Sequence, residues 1–257
     1  MRRIRSKRHS ASREDLDTSE LSRREKIQRQ LPDANSAQLE IIDSVGSLTM
    51  TSPERILGLC NAVDYLSRNR IEGDFVECGV WRGGSMAAAA KTLLANGDAN
   101  RELWLYDTFD GMSEPTEQDV DFMGQSAEVL LGQQDRDDAT SVWCCSPLEQ
   151  VRSAMADTGY PIERVRFVEG RVEDTLPVRV PDRISLLRLD TDWYESTRCE
   201  LEHLFPKLVP GGVLIVDDYG HWEGCRRAVE EYFDENNIPM LLNRIDYTGR
   251  IGIFCPR

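Results

Sequence analysis

Three aspartates close two short apolar runs of this chain. Asp190 follows Ile184–Leu189, and the pair Asp217–Asp218 follows Val213–Val216. In an open α/β sheet, ligands bind beyond the carboxyl ends of the strands. Neighbouring strands that end this way set three carboxylates on the rim of one crevice. Like charges so close repel, and a hard divalent cation is the usual reason to gather them. An all-carboxylate set suits Mg²⁺ and disfavours zinc or copper. Such an ion orients two vicinal oxygens of an acceptor and lowers the pKa of the one that attacks. Asp192, two residues beyond Asp190, is placed to take that proton as general base. His221 competes for the role, because it follows Asp218 closely and imidazole titrates near neutrality. A lone histidine is more often structural, so Asp192 ranks first.

A second group lies upstream. Glu77-Cys78-Gly79-Val80-Trp81-Arg82-Gly83-Gly84-Ser85 reads as a strand end, a glycine-rich turn and a helix start. Its Gly-x-x-x-Gly-Gly spacing is not the dinucleotide-binding Gly-x-Gly-x-x-Gly, and no Gly-Lys-Ser/Thr follows to cradle phosphates. Asp107, closing the run Leu103–Tyr106, stands where a strand-end carboxylate accepts bonds from ribose hydroxyls. A cofactor with a ribose and no phosphates fits this loop. Glu77 is placed for a cationic amine such as that of S-adenosylmethionine, or is a plain strand-end acid. Asp174 is a candidate acceptor for an adenine amine, or an ordinary helix cap. Trp193, Tyr194, Tyr219 and Trp222 surround the acids in sequence, either to face a sugar ring or to pack on the sheet edge.

The elements that must position these residues alternate strand and helix. Ser52 with Pro53, or Thr51 with Glu54, starts a helix carried by Ile56, Leu57, Leu59, Cys60, Val63 and Leu66. Strands follow at Phe75–Cys78, Leu103–Asp107, Val165–Val168, Ile184–Asp190 and 213–217. Helices fall on the small-residue run Met86–Ala90, on a segment capped by Ser146-Pro147-Leu148-Glu149 that stops near Gly159, on Thr197–Lys207 with the box Thr197–Glu200, and on Cys225–Glu235. Two closing strands meet at a turn over Tyr247-Thr248-Gly249. This is a parallel, doubly wound α/β sheet with a C-terminal antiparallel hairpin, the seven-strand layout of class I methyltransferases. Residues 110–141 break the rhythm and read as a lid, a partner surface or inert decoration.

Charge and cysteines bound the rest. The net charge is −14, yet residues 1–30 hold ten Lys/Arg against five Asp/Glu. Residues 1–45 therefore read as a charged, mostly disordered tail with a short helix near 20–30, and residues 46–257 as one domain. The acidic body argues against a nucleic-acid duplex or an anionic membrane as partner. No apolar run reaches membrane-span length, and none follows the basic start Met1–Arg5. Seven cysteines, an odd number without Cys-x-x-Cys spacing, suggest free thiols in a reducing cytoplasm.

Four segments carry a family resemblance: Gly73–Ser85, Tyr106–Met112, Asp190–Thr197 (Asp-Thr-Asp-Trp-Tyr-Glu-Ser-Thr) and Asp217–Trp222. From about Thr49 onward the chain resembles the macrocin O-methyltransferase family, which methylates sugar hydroxyls of antibiotics. The resemblance implies S-adenosylmethionine as donor and Mg²⁺ held by Asp190, Asp217 and Asp218. It also implies Asp192 as base, a lid near 110–145, the Met50-Thr51-Ser52 segment beside the cofactor, and a homo-oligomer. The first 45 residues depart from the usual family N-terminus. The expected function is a Mg²⁺-dependent O-methyltransferase acting on a deoxysugar hydroxyl of a small glycosylated metabolite. Alternatives are a phenolic, catechol or saccharide acceptor, a non-catalytic S-adenosylmethionine-binding protein, and, more weakly, a metal-dependent hydrolase.

Overall fold

The sheet strands are β1 (Asp74–Cys78), β2 (Leu103–Asp107), β3 (Val165–Glu169), β4 (Ile184–Leu189), β5 (Leu208–Val216), β6 (Asn243–Arg244) and β7 (Arg250–Ile253). The structure, a computed structural model, describes residues 22–136, 141, 143–176 and 178–256. Strand order is β3-β2-β1-β4-β5-β7-β6, parallel throughout except that β7 runs antiparallel to both its neighbours. That is the class I methyltransferase sheet expected from the sequence.

Register aligns the strand ends. Cys78 pairs with Tyr106 on one side and Leu189 on the other, and Leu189 pairs with Val216. Gly79, Asp107, Asp190 and Asp217 therefore leave the sheet at one level, on one rim. Side chains alternate between its faces. Phe75, Leu105, Leu186 and Ile215 enter one core layer with the helices α2 (Ser36–Val45), α3 (Pro53–Arg68) and α4 (Gly84–Ala95). Val76, Leu187, Leu214 and Val216 enter the other with α8 (Tyr194–Leu204) and α9 (Glu223–Glu235). By the same alternation Glu77 and Arg188 share the α3 side, and they are register partners. Ala87–Ala90 of α4 are essentially inaccessible, and their small size lets the helix sit close on the sheet.

The expected tail divides. Residues 1–21 lie outside the described residues, but 22–45 are not disordered. Ser22 caps α1 (Arg23–Gln30) in a capping box with Glu25, and Asn35 caps α2 in another with Gln38. Ile27, Leu31, Leu39, Ile42 and Val45 are buried in the first core layer. Apolar residues three or four apart outweigh the polar average, because burial depends on one face and not on composition. The helix foreseen near 20–30 is α1.

Two capping expectations also change. Helix α6 (Leu148–Ala156) starts after Pro147 with no side-chain cap, and the Ser146 hydroxyl turns to Gln150 Oε1 at 3.2 Å. Helix α8 begins at Tyr194, three residues early, and Thr197 and Glu200 are buried inside it. Its cap comes from afar: the Tyr194 N–H donates to Oδ1 of buried Asp119 at 2.8 Å. Ser52 caps α3 with Pro53 in the first turn, one of the two starts foreseen. Over 110–136 the chain holds the short helix α5 (Ala127–Gly132), bridges at Val120↔Ser126 and Asp121↔Trp222, and a bond from Trp193 Nε1 to the Ser113 carbonyl at 2.9 Å.

Candidate active site

A cleft lies along this rim, with about 1090 Å³ of atom-free space that includes its opening to solvent. On the β1–β2 side it is shaped by backbone. Gly79 leaves β1 at φ +81° against the Asp190 carbonyl, where any Cβ would collide. Asp107 Oδ2 accepts from the Val80 and Trp81 N–H groups at 2.6 and 3.0 Å, and Oδ1 from Phe109 at 2.7 Å. Its carboxylate thus folds the glycine turn while still lining the cleft. Met50, Thr51, Gly79 and Ser85 line it as well.

The other cofactor candidates do not. Gly83 caps α4 at φ +85°, and Gly84 donates its N–H to the Leu48 carbonyl at 3.0 Å, which seats residues 48–51 against α4. Asp174, on α7 (Val172–Thr175), is exposed and away from the cleft, whereas Arg171 and Glu173 line it. Glu77 lies beneath the floor, 1 % exposed. Glu77, Gly83, Gly84 and Asp174 thus lie outside the cleft lining.

The β4–β5 side is built from charge. Asp190, Asp217 and Asp218 each offer an oxygen, all within 4.8 Å of one another. Arg188, buried in β4, donates from Nη1 to Glu77 Oε1 and Asp190 Oδ2, both at 2.6 Å. Its Nη2 reaches Asp217 Oδ1 at 2.6 Å and the Thr51 hydroxyl at 3.1 Å. Arg55 of α3 pairs with Asp217 and, at 3.0 Å, with Asp246 in the β6–β7 turn. Burial alone would depress both guanidinium pKa values, but the surrounding carboxylates raise them, so both stay charged. Burial pushes Glu77 up to about 7 against the pull of Arg188. It also raises Asp190, opposed by Arg188, and Asp218, where Asp192 and Asp217 add repulsion.

Asp192 sits in the left-handed region at φ +69°, its Oδ1 accepting from Trp222 Nε1 at 2.6 Å. Burial and the Asp190 charge push it up to about 8. His221 is not part of the lining. Its ring is half-buried against Trp222, with centroids 4.8 Å apart, and burial lowers its pKa. Trp193 and Trp222 meet edge to face at 5.0 Å and belong to the second core layer, so packing is their main role.

Six carboxylates (Glu77, Asp190, Asp192, Asp217, Asp218 and Asp246) thus cluster around two guanidiniums. Asp218 Oδ2 is buried without a partner. Surplus negative charge, hard oxygen donors and an orphaned oxygen fit a divalent cation such as Mg²⁺. Sequence reasoning missed Arg188 and Arg55. Arg188 had a signal, because a charge inside an apolar strand run must be paired. Arg55, on an amphipathic helix, had none.

Residues 3–251 match the family model for macrocin O-methyltransferase. The chain belongs to this family. The match begins well before Thr49, so the N-terminal helices fall within it. Over 201 residues the chain is 37 % identical to 8-demethyl-8-(2,3-dimethoxy-alpha-L-rhamnosyl)-tetracenomycin-C 4'-O-methyltransferase of Streptomyces olivaceus, covering 78 % of this chain and 73 % of the relative. It is 34 % identical to mycinamicin III 3''-O-methyltransferase of Micromonospora griseorubida, covering 78 % and 76 %. Among solved structures, the O-methyltransferase NovP aligns with TM-score 0.71 at 32 % identity, over 81 % of this chain and 83 % of that one. The protein is an S-adenosylmethionine-dependent O-methyltransferase.

Proposed function

We propose that this macrocin-family enzyme methylates a hydroxyl of a deoxysugar carried by a small glycosylated metabolite. Asp190, Asp217 and Asp218 would hold Mg²⁺, which supplies Lewis-acid lowering of the hydroxyl pKa. The carrying observation is the acid cluster set level with the glycine turn on one rim, so donor and acceptor sites adjoin. The curated relatives are named for rhamnosyl-tetracenomycin and mycinamicin substrates, which supports a sugar acceptor.

Cofactor binding falls to the β1–β2 side, through Met50, Thr51, Gly79, Ser85 and Asp107. Glu77 acts from below, as the counter-charge that fixes Arg188. The acceptor oxygen attacks the methyl carbon as the carbon–sulfur bond breaks, and its electron pair goes to sulfur. Asp192 receives the hydroxyl proton while the Trp222 N–H fixes its orientation. A sulfonium is already activated, so most of the acceleration comes from holding oxygen, carbon and sulfur in line. The 110–136 segment, pinned to α8, gives Gly111, Met112 and Ser113 to the cleft wall and would act as its lid. Free thiols at all seven cysteines support a cytoplasmic setting, and no helix among the described residues is long and apolar enough to cross a membrane. Apolar Met123 and Val129, exposed on the lid segment, support a homo-oligomer.

The test is labelled-methyl transfer to a panel of glycosides and catechols. Transfer to glycosides alone is expected. In Asp192→Asn, kcat should fall by about 10²–10⁴ while S-adenosylhomocysteine affinity is kept. Transfer to catechols alone, or an unchanged kcat, contradicts the reading.

A further inference from the structure

Beyond the acids, continuing along the rim from β5 towards β7 and β6, stands a group of rings with no part in the chemistry above. Phe122 lies 5.6 Å from His221 and 6.3 Å from Tyr247, and His221 lies 5.9 Å from Tyr247, all tilted or edge to face. Phe122 and Tyr247 are each 54 % exposed. These rings leave adjoining aromatic faces open to water beside a polar site.

Three of the acids are tethered to this group. The His221 N–H donates to the Asp218 carbonyl at 2.9 Å. Thr248, next to Tyr247, donates its hydroxyl to the Asp217 carbonyl at 2.8 Å. Trp222, whose ring meets His221, holds Asp192. The loops beneath are fixed to one another. Gly220 donates to the Thr248 carbonyl at 2.9 Å and lies so close to the Tyr247 carbonyl that a Cβ would collide. Glu223 donates to the Val120 carbonyl at 2.9 Å, which pins the segment bearing Phe122.

Direction decides what these rings receive. In-line transfer puts the methyl donor on the β1–β2 side of the acids, so the acceptor approaches from the β5–β7 side. A sugar seated at the acids then directs its substituent outward over the rings. We propose that Phe122, His221 and Tyr247 form a shelf that binds a flat, apolar group attached to the acceptor sugar. The shelf sets which glycosides are preferred, and it rests on the sugar-acceptor reading above.

The test uses phenyl α-L-rhamnoside and methyl α-L-rhamnoside, titrated by calorimetry into enzyme saturated with S-adenosylhomocysteine and Mg²⁺. The phenyl glycoside should bind about tenfold tighter to the wild type. In Phe122→Ala/Tyr247→Ala the ratio should fall to about one, with S-adenosylhomocysteine affinity retained as the check on folding. Phe122→Trp should keep the preference. A wild type without preference, or a preference that survives the double substitution, overturns the shelf. Methyl transfer is assayed on the same glycosides. Preferential binding without transfer would contradict the sugar-methylation reading and leave the shelf standing, whereas transfer without preference would do the reverse.

Discussion

The two halves of the rim are made of different materials. On the β1–β2 side the chain shapes the cleft with backbone: Gly79 permits the approach to Asp190, and three N–H groups hold the Asp107 carboxylate in place. On the β4–β5 side two arginines bond Glu77, Asp190 and Asp217, Asp192 and Asp218 stand beside them with no arginine bond, and the sum is unbalanced. The first half is preformed, with its carboxylate bonded to its own backbone. The second keeps repulsion that a bound cation would relieve, and its geometry depends on a few buried charges. Recognition of a constant cofactor suits the first construction. Chemistry that must gather a metal, an acceptor oxygen and a base suits the second.

The largest effect should come from removing the cation at the centre of the charged half. Arg188→Met leaves Glu77, Asp190 and Asp217 without their shared partner. Breaking a buried ion pair in this way costs about 3–5 kcal/mol, measurable by urea denaturation. A loss below about 1 kcal/mol would mean the acids do not need Arg188.

A smaller effect concerns pH. Glu200, beneath the β4 loop, is fully buried; its Oε1 accepts from the Thr191 hydroxyl at 2.8 Å and its Oε2 has no partner. Burial pushes its pKa up to about 8 from an ordinary 4.5. A raised acid favours the folded state when protonated. Its contribution is therefore fully present below pH 4.5 and is lost as pH rises to 8. Glu200→Gln should flatten that decline and stabilise the protein above pH 8, by a few kcal/mol at most. A parallel pH dependence in the two proteins would contradict this.

The smallest effect tests the backbone half. Gly79→Ala combines a left-handed φ with a collision at the Asp190 carbonyl, a cost of about 1–3 kcal/mol. Because the blow falls on Asp190, it should also weaken cofactor and metal binding together. If only cofactor affinity changes, the two halves are less coupled than their contact implies.

The centre of the sheet was legible because β1, β2, β4 and most of β5 are largely apolar, buried runs, each ended by an acid or a glycine. The three aspartates were legible for the same reason, since register delivers strand ends to one rim. What escaped was non-local. The cap of α8 is Asp119, 75 residues before Tyr194. Helix α2, and the burial of α1, were hidden by a polar composition that says nothing about one buried face. Asp174 and Glu173 are adjacent in sequence, and only the turn of α7 decides which lines the cleft. His221 has the chemistry of a base, but its ring lies outside the lining and among other rings. The carboxylate of Asp107 was found in the right place, but three of its bonds go to its own chain.

The most direct measurement of the central claim is the rate of labelled-methyl transfer from S-adenosylmethionine to a rhamnoside, with Mg²⁺ and again after chelation and dialysis. Transfer with Mg²⁺ that collapses on chelation and returns on re-addition is the predicted result. Transfer that proceeds undiminished without the metal would contradict the role given to Asp190, Asp217 and Asp218.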